Sequence, residues 1–303
     1  YYSSLSAALP AADLTGNLTV ITDAIVHSIV QDPKTGRAVG VRVINAKSKE
    51  AMTYTARVIF SCASTIGTAQ ILLNSRSDQA PEGLGNSSGM LGRNLMDHLF
   101  DLSVGGLLPN GPDSYYSGRR PTGIYIPRFR NLGNEDAEFI RGYGYQGGAM
   151  RLGWRLQSLG APGIGVELKE RSRKPGPWVV YLTGFGEMLP NPDNRVTLHR
   201  TSKDKWGIPL VHIECSHGEN ERKMAKQIIS DAKAMIGAAG GVVVRQAEKP
   251  GPPGLGVHEM GTACMGKSPT NSVLNAFNQL HDVPNVFVTD GASMASSACQ
   301  NPS

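Results

Sequence analysis

Alternating apolar and polar positions predict several strands near the start of the chain. Segments 18–22, 24–30, 38–44 and 53–60 show this period of two and contain many Val, Ile and Thr residues. Residues 32–37 (DPKTGR) separate the second segment from the third, and their Pro and Gly supply turn dihedrals. The pattern therefore predicts an antiparallel meander, followed by an apolar strand that ends in small residues.

Two segments repeat apolar residues three or four positions apart, which is the spacing of a helix that faces a core. The shorter segment is 65–73. The longer one, 219–238, opens with acidic residues and is followed by Gly240 and Gly241, which is a typical helix stop. Both segments are predicted to be helices.

Further strands are predicted in the rest of the chain. They are 123–129, 163–168, 178–187, 195–199, 210–214, 242–244 and 286–288. Residues 77–98 have the composition of a loop, and residues 99–160 show no other convincing strand. These elements predict a mixed α/β fold whose second part is of the α+β type, with a sheet and one long helix.

Composition and charge narrow the class of protein. With 303 residues, 40% of them hydrophobic, the chain forms one large domain or two ordinary ones. The formal charge of +5 is spread along the chain, and its densest group, 169–174, lacks interleaved aromatic residues. This group is interpreted as a solvated loop and not as a nucleic-acid site. No apolar run reaches the roughly 20 residues of a membrane span.

Neither a disulfide framework nor a metal site is favoured by the sequence. The four cysteines are widely separated and form no C-x-x-C pair. His212, Cys215 and His217 lie together at a predicted strand end, but no fourth ligand is close in sequence. The chain begins at Tyr1 without a signal-peptide pattern, so both the periplasm and the cytoplasm of a bacterium stay open as locations.

The C-terminal stretch concentrates the candidate chemistry. His258 lies in a turn punctuated by Gly and Met, a short apolar strand follows at 286–288, and Asp290 comes directly after that strand. Asn301 lies almost at the last residue. Polar groups that bracket a strand-to-loop transition are typical of an active site at the carboxyl end of a sheet.

Four motifs, in this order along the chain, resemble those of the glucose-methanol-choline (GMC) family of flavin oxidoreductases. They are 92–98 (GRNLMDH), 190–196 (PNPDNRV), 258–266 (HEMGTACMG) and 288–302. The likeness extends over nearly the whole chain. It implies part of a Rossmann-like FAD-binding domain at 1–98 and 246–303, and a sheet-based substrate domain at 99–245.

The resemblance also implies a reaction and a set of site residues. In this family FAD accepts a hydride at N5 from a substrate carbinol, while a His takes the hydroxyl proton. His258 matches that base and Asn301 matches the partner that holds the substrate oxygen, roles for which imidazole and amide groups are chemically suited. The residues that the resemblance places against the FAD are Val26, Asp290, Gly291, Asn301 and Pro302.

The expected substrate is the CH–OH group of a sugar or related alcohol. Segments 275–278 and 296–302 are closer to pyranose-oxidising and glucoside-dehydrogenating members of the family than to others. The acceptor that reoxidises the flavin is left open between oxygen, a quinone and a cytochrome. The resemblance also admits a small or electron-transfer subunit as a partner.

Two departures from the family pattern stand out. Relatives carry a G-x-G-x-x-G phosphate loop after their first strand, whereas the match here, 142–147, follows no predicted strand and is interpreted as a chance occurrence. Cys264 lies where many relatives carry Arg. The resemblance is therefore expected to cover a C-terminal portion of a longer protein.

Two other functions were weighed. Residues 85–89 match the G-x-S-x-G pattern of serine hydrolases, but a nucleophile elbow needs a strand before Ser87, and none is predicted. A non-catalytic binding or scaffold protein derived from an oxidoreductase is the second alternative. The presence of both His258 and Asn301 speaks against it, whereas the absence of the family's phosphate loop keeps it open.

Overall fold

The structure is a computed structural model that describes most of the chain. The described residues are 3–111, 113, 123–133, 138–153, 163–173 and 175–302. Within these ranges the strands form four sheets, and helices pack against them. The mixed α/β fold class predicted from the sequence is confirmed.

The N-terminal part forms a three-stranded antiparallel sheet. A π-helical turn (Ser4–Ala8) and helix α1 (Leu9–Asp13) precede β1 (Ala24–Gln31), β2 (Ala38–Asn45) and β3 (Ala51–Thr55). The predicted meander is therefore confirmed. The strand predicted at 18–22 is wrong, because that segment pairs with no described strand and leaves Val20 63% exposed.

A parallel pair of short strands follows this sheet. The strand predicted at 53–60 divides in two, because Asn285 Nδ2 donates to the Arg57 carbonyl and turns the chain after β3. Strand β4 (Ile59–Ser61) then pairs in parallel with β14 (Val286–Val288), and helix α2 (Thr65–Asn74) starts soon after β4. The carboxyl ends of both strands consequently meet at one edge.

A third sheet brings three of the sequence motifs together. Its strands lie in the order β11 (Pro209–Glu214), β10 (Arg195–Lys203), β5 (Arg93–Met96) and β13 (Met260–Thr262). Strand β5 lies inside the segment that the sequence predicted to be loop. Strands β10 and β11 come from the predicted substrate domain, 99–245, whereas β5 and β13 come from outside it. One sheet therefore contains strands of both predicted domains.

The fourth sheet is the largest. Its order is β12 (Val242–Ala247), β6 (His98–Leu108), β9 (Trp178–Glu187), β8 (Tyr143–Arg151) and β7 (Ile124–Ile126). Strands β6 and β8 were not predicted, because Gly-rich segments lack a clear alternation of apolar and polar residues. The 142–147 glycines serve strand packing: a Cβ on Gly147 would lie 2.1 Å from the Tyr181 carbonyl oxygen. The match to a phosphate loop is thus part of a sheet.

Two helices occur in the chain between strands of the fourth sheet. Helix α3 (Val166–Ser172) replaces the strand predicted at 163–168 and overlaps the charged segment interpreted as a loop. Val166 is 71% exposed, so no sheet face is buried there, and the Glu-Leu-Lys-Glu run that follows favours a helix. Helix α4 (Glu219–Ala238) has the predicted limits.

Helix α4 covers the fourth sheet through an apolar face and one buried polar cluster. A Cβ on Gly184 in β9 would lie 2.3 Å from Ile228 Cγ2, so this glycine lets the helix approach closely. Beside that contact, Asp231 accepts hydrogen bonds from Nε and Nη2 of Arg130, at 2.8 and 2.7 Å, and from the Tyr143 hydroxyl at 2.6 Å. The cluster fixes the helix on the sheet.

Candidate active site

His258 and His98 meet because of the register between β5 and β13. These strands are antiparallel, and Met260 pairs with Met96. The residue two before Met260 therefore faces the residue two after Met96. Nε2 of His98 and Nδ1 of His258 lie 2.9 Å apart, and the two rings are nearly perpendicular at 89°.

The backbone around His258 is held by a buried carboxylate. Asp97, which separates β5 from β6, is 2% exposed. Its Oδ2 accepts the N–H groups of Gly254 at 2.7 Å and Gly256 at 2.9 Å, and its Oδ1 accepts that of His258 at 3.3 Å. Val257 has φ of +54°, an unfavourable conformation for a β-branched residue. Asp97 thus stabilises a strained turn that presents His258.

His98 is enclosed by the protein. It is 1% exposed, and Phe185 packs against its ring edge-on. Burial lowers the pKa of His98, and the adjacent His258 lowers it further, while Asp97 and the backbone of Gly186 and Ala298 oppose the change. The His98 ring is therefore neutral at pH 7.

The His258 ring has one held nitrogen and one available nitrogen. It is partly exposed, and Nδ1 faces His98. Among the described residues, no hydrogen bond is made by its Nε2. Met260, two residues after it in the chain, forms a buried apolar cluster with Met96 and Met188. A half-buried imidazole with a free nitrogen can accept a proton from a bound ligand.

Asn301 lies outside the strands and contacts the fourth sheet. It is exposed, and its Oδ1 accepts a hydrogen bond of 2.7 Å from Nε2 of Gln146 in β8. Pro302 follows it and is partly buried. The contact with Gln146 uses the carbonyl of the Asn301 amide and leaves its NH₂ group for another acceptor.

Asp290 and Gly291 form a junction between β14, α2 and the His258 loop. Asp290 Oδ1 accepts the Ala292 N–H at 2.9 Å, and Oδ2 accepts the Thr68 hydroxyl at 2.6 Å. A Cβ on Gly291 would lie 2.5 Å from the Glu259 carbonyl oxygen, so the close approach that requires glycine is made by protein. The same carbonyl accepts the Thr65 hydroxyl at 2.5 Å.

Val26 lines an apolar cavity of about 380 Å³ between the first sheet and the carboxyl end of β4. Its walls include Val41, Ile59, Phe60 and Ala63. Phe60 is 61% exposed and stacks on Phe287 with ring centroids 5.1 Å apart. Such a cavity suits a flat, apolar group.

The remaining candidates from the sequence are Ser87, the cysteines and a metal site. Ser87 lies in a turn, and its hydroxyl donates to Asp282 Oδ1 at 2.7 Å, so it is not mounted on a nucleophile elbow. Burial raises the pKa of the Cys215 and Cys264 thiols to about 11, which keeps both protonated. Across the part of the chain that the structure describes, no group of three metal-binding side chains occurs.

His98 is the site residue that sequence reasoning missed. It lies in the 92–98 motif, but no role was assigned to it, because its partner is 160 positions away. The register of Met96 opposite Met260 would have revealed the pair, and that register is tertiary information.

In the described ranges, no helix is both long and apolar enough to cross a bilayer.

Comparison with known proteins identifies a family. The chain matches the GMC oxidoreductase family over residues 2–100 and again over residues 190–303. It is 30% identical over 276 residues to 2-methyl-1,2-propanediol dehydrogenase of Mycolicibacterium austroafricanum, covering 89% of this chain and 49% of the relative. It is 29% identical to the fructose dehydrogenase large subunit of Gluconobacter japonicus, covering 99% of this chain and 53% of that subunit.

A solved structure shares the fold. Pyridoxine 4-oxidase from Mesorbium loti superposes with a TM-score of 0.55 at 19% identity, over 94% of this chain and 55% of that chain. The chain spans about half the length of the curated relatives it matches. The family matches together include the motifs that form the His98–His258 pair. The chain belongs to the GMC oxidoreductase family.

Proposed function

We propose that the chain supplies the proton-accepting site of an FAD-dependent oxidoreductase that oxidises a CH–OH group of a sugar or related alcohol. The observation that carries this proposal is the His258 ring, whose Nδ1 contacts a buried neutral histidine while its Nε2 is available. Oxidation of an alcohol to a carbonyl removes a hydride from carbon and a proton from oxygen. His258 Nε2 receives the hydroxyl proton.

Asn301 orients the substrate oxygen in this proposal. Its amide oxygen is occupied by Gln146 at 2.7 Å, so its NH₂ group is the part that donates to a ligand. Donation to the alcohol oxygen stabilises the partial negative charge that develops as the proton leaves. His258 and Asn301 therefore have complementary roles.

The residues present fit an FAD. When bound, FAD supplies the hydride acceptor. The apolar cavity that Val26 lines suits the adenine ring. Because both Asp290 oxygens are engaged within the protein, Asp290 would act by holding the Gly291–Ser293 turn in place. Gly291, Asn301 and Pro302, on the same C-terminal segment, would then be the residues that contact the cofactor.

The domain division follows the same proposal. Residues 1–98 and 246–303 belong to the FAD-binding domain, and residues 99–245 form the substrate domain. Relatives named for a diol and for fructose support a polyhydroxylated substrate class. The fructose dehydrogenase relative is named as a large subunit, which supports an electron-transfer partner.

A substrate panel tests the proposal. The complete protein, loaded with FAD, is mixed anaerobically with sugars, diols and monohydric alcohols while flavin absorbance is followed, and turnover is then measured with oxygen and with a dye acceptor. Bleaching by a sugar or polyol is the expected result. Failure of every alcohol to bleach the flavin contradicts the proposed activity, and a complete protein that holds no flavin favours the non-catalytic alternative.

A further inference from the structure

We infer that His98 is a positioning residue: its Nε2 accepts the Nδ1–H of His258 and so fixes the His258 tautomer whose Nε2 lone pair faces the substrate. The inference rests on the proposed role of His258 and deepens it, because it names the group that makes Nε2 a proton acceptor. The two nitrogens involved lie 2.9 Å apart.

The direction of this hydrogen bond decides the function of His258. A neutral imidazole carries one proton, on one of its two nitrogens. If His98 donated to Nδ1 of His258, the His258 proton would lie on Nε2, which would then be a donor. If His258 donates to His98 instead, Nε2 carries the lone pair. Only the second arrangement accepts a hydroxyl proton.

The second arrangement is the one that the proposed role of His258 requires. Its own proton must lie on Nδ1 for its Nε2 to accept. The backbone groups of Gly186 and Ala298 raise the pKa of the ring, as carbonyl oxygens near an N–H do. With Nε2 occupied by His258, Nδ1 is the nitrogen available to them. His98 Nδ1 is buried and makes no hydrogen bond to a described residue.

The structure also holds both rings in place for this contact. His98 is 1% exposed and is packed against Phe185, which restricts rotation of its ring. The neighbouring Asp97 anchors the backbone of His258 at 3.3 Å. Asp97 therefore fixes the backbone of His258, and His98 fixes its ring. Histidines that bind metals are oriented in a similar way, by a hydrogen bond to the ring nitrogen that does not bind the metal.

The proton balance is consistent. When the substrate hydroxyl proton reaches Nε2, His258 becomes an imidazolium with a proton on each nitrogen. Its Nδ1–H stays bonded to the neutral His98, which accepts it without a change in charge.

Histidine NMR tests the tautomer without any turnover. Two-bond ¹H–¹⁵N correlations on ¹⁵N-histidine-labelled complete protein at pH 8 distinguish Nδ1–H from Nε2–H in a neutral ring, and the His258→Gln variant assigns the signal. We expect His258 to carry its proton on Nδ1, and we expect His98→Phe to lose this pattern. A His258 proton on Nε2 in the unaltered protein overturns the inference.

Variants of His98 test the consequence for the rate. Gln places its side-chain oxygen near the position of Nε2, Asn places it nearer to that of Nδ1, and Phe fills the space without an acceptor. We expect the rate of flavin reduction to fall about 10- to 100-fold in His98→Phe and His98→Asn, with a smaller effect on KM. His98→Gln should recover to within about threefold. Equal rates in Gln and Asn variants, at equal flavin content, overturn the inference.

These tests separate two failures. A complete protein that oxidises no alcohol but shows the Nδ1–H tautomer at His258 supports the inference about His98 while the proposed substrate class fails. A protein that oxidises alcohols but carries the His258 proton on Nε2 retains the proposed function and loses this inference.

Discussion

The backbone N–H of His258 is bonded to Oδ1 of Asp97 at 3.3 Å, while the ring of His258 contacts the next residue, His98. The dipeptide Asp97–His98, at the junction of β5 and β6, therefore sets both the path of the His258 backbone and the orientation of its ring. The strained φ of Val257 shows that the turn depends on this support.

Replacing Asp97 should loosen the turn. Asp97→Asn removes the charge from three hydrogen bonds, so we expect the free energy of unfolding to fall by about 2 to 4 kcal/mol. Denaturant unfolding measures this change. Asp193→Asn, on an exposed turn, is the matched control and should change stability by less than about 0.5 kcal/mol. Equal stability of the two variants contradicts the role of Asp97.

The His258→Ala variant should lose turnover and keep its flavin. Removing a general base lowers the rate by about 10² to 10⁴. The cofactor contacts proposed above do not involve its ring, so the ratio of flavin to protein should stay near that of the unaltered protein. His199→Ala, an exposed histidine on β10, controls for loss of any imidazole. Unaltered kcat in His258→Ala would show that another group takes the proton.

Asn301→Ala should have a smaller effect than His258→Ala, because it removes orientation of the substrate and leaves the base intact. Gln146→Ala should act in the same direction by releasing Asn301 from its 2.7 Å contact. Steady-state kinetics with the best substrate of the panel measures both. A larger loss from Asn301→Ala than from His258→Ala would reverse the assigned roles.

Acid should weaken the fold through His98. Burial lowers the pKa of His98 in the folded state, whereas the unfolded chain takes up this proton near the ordinary value of about 6.5. The contribution of His98 is therefore complete above about pH 6.5 and is lost as pH falls toward the folded-state pKa. Unfolding in urea at pH 7.5 and 5.5 should show a smaller pH difference in His98→Gln. The nearby Asp97 and His258 are common to both proteins.

The cluster beneath α4 should carry a large share of local stability. Burial alone would raise the pKa of Asp231, but hydrogen bonds from Arg130, Tyr143 and Gln227 outweigh it and lower that pKa. Asp231→Asn should cost about 3 kcal/mol, because it leaves Arg130 without its counter-charge. Tyr143→Phe should cost about 1 kcal/mol. Thermal unfolding checks both, and a cost for Tyr143→Phe above that for Asp231→Asn would contradict this order.

Local sequence determined the elements whose signals are local. The α4 limits follow from apolar spacing, acidic residues at its start and glycines after its end. The β9 and β14 limits follow from uninterrupted apolar or alternating runs. The choice of His258 as the candidate base came from a motif, which is also a local signal.

Tertiary structure decided what the motifs do together. His98 became part of the site through the register of β5 against β13, which joins residues 160 positions apart. Residues 143–147 became strand residues because β9 offered a partner, and 166–168 became helical because no sheet covered them. Strand pairing and burial depend on residues that are far away in the chain. A pattern along one segment therefore specifies the element and its candidate chemistry, but it does not specify the partner that makes a histidine a base.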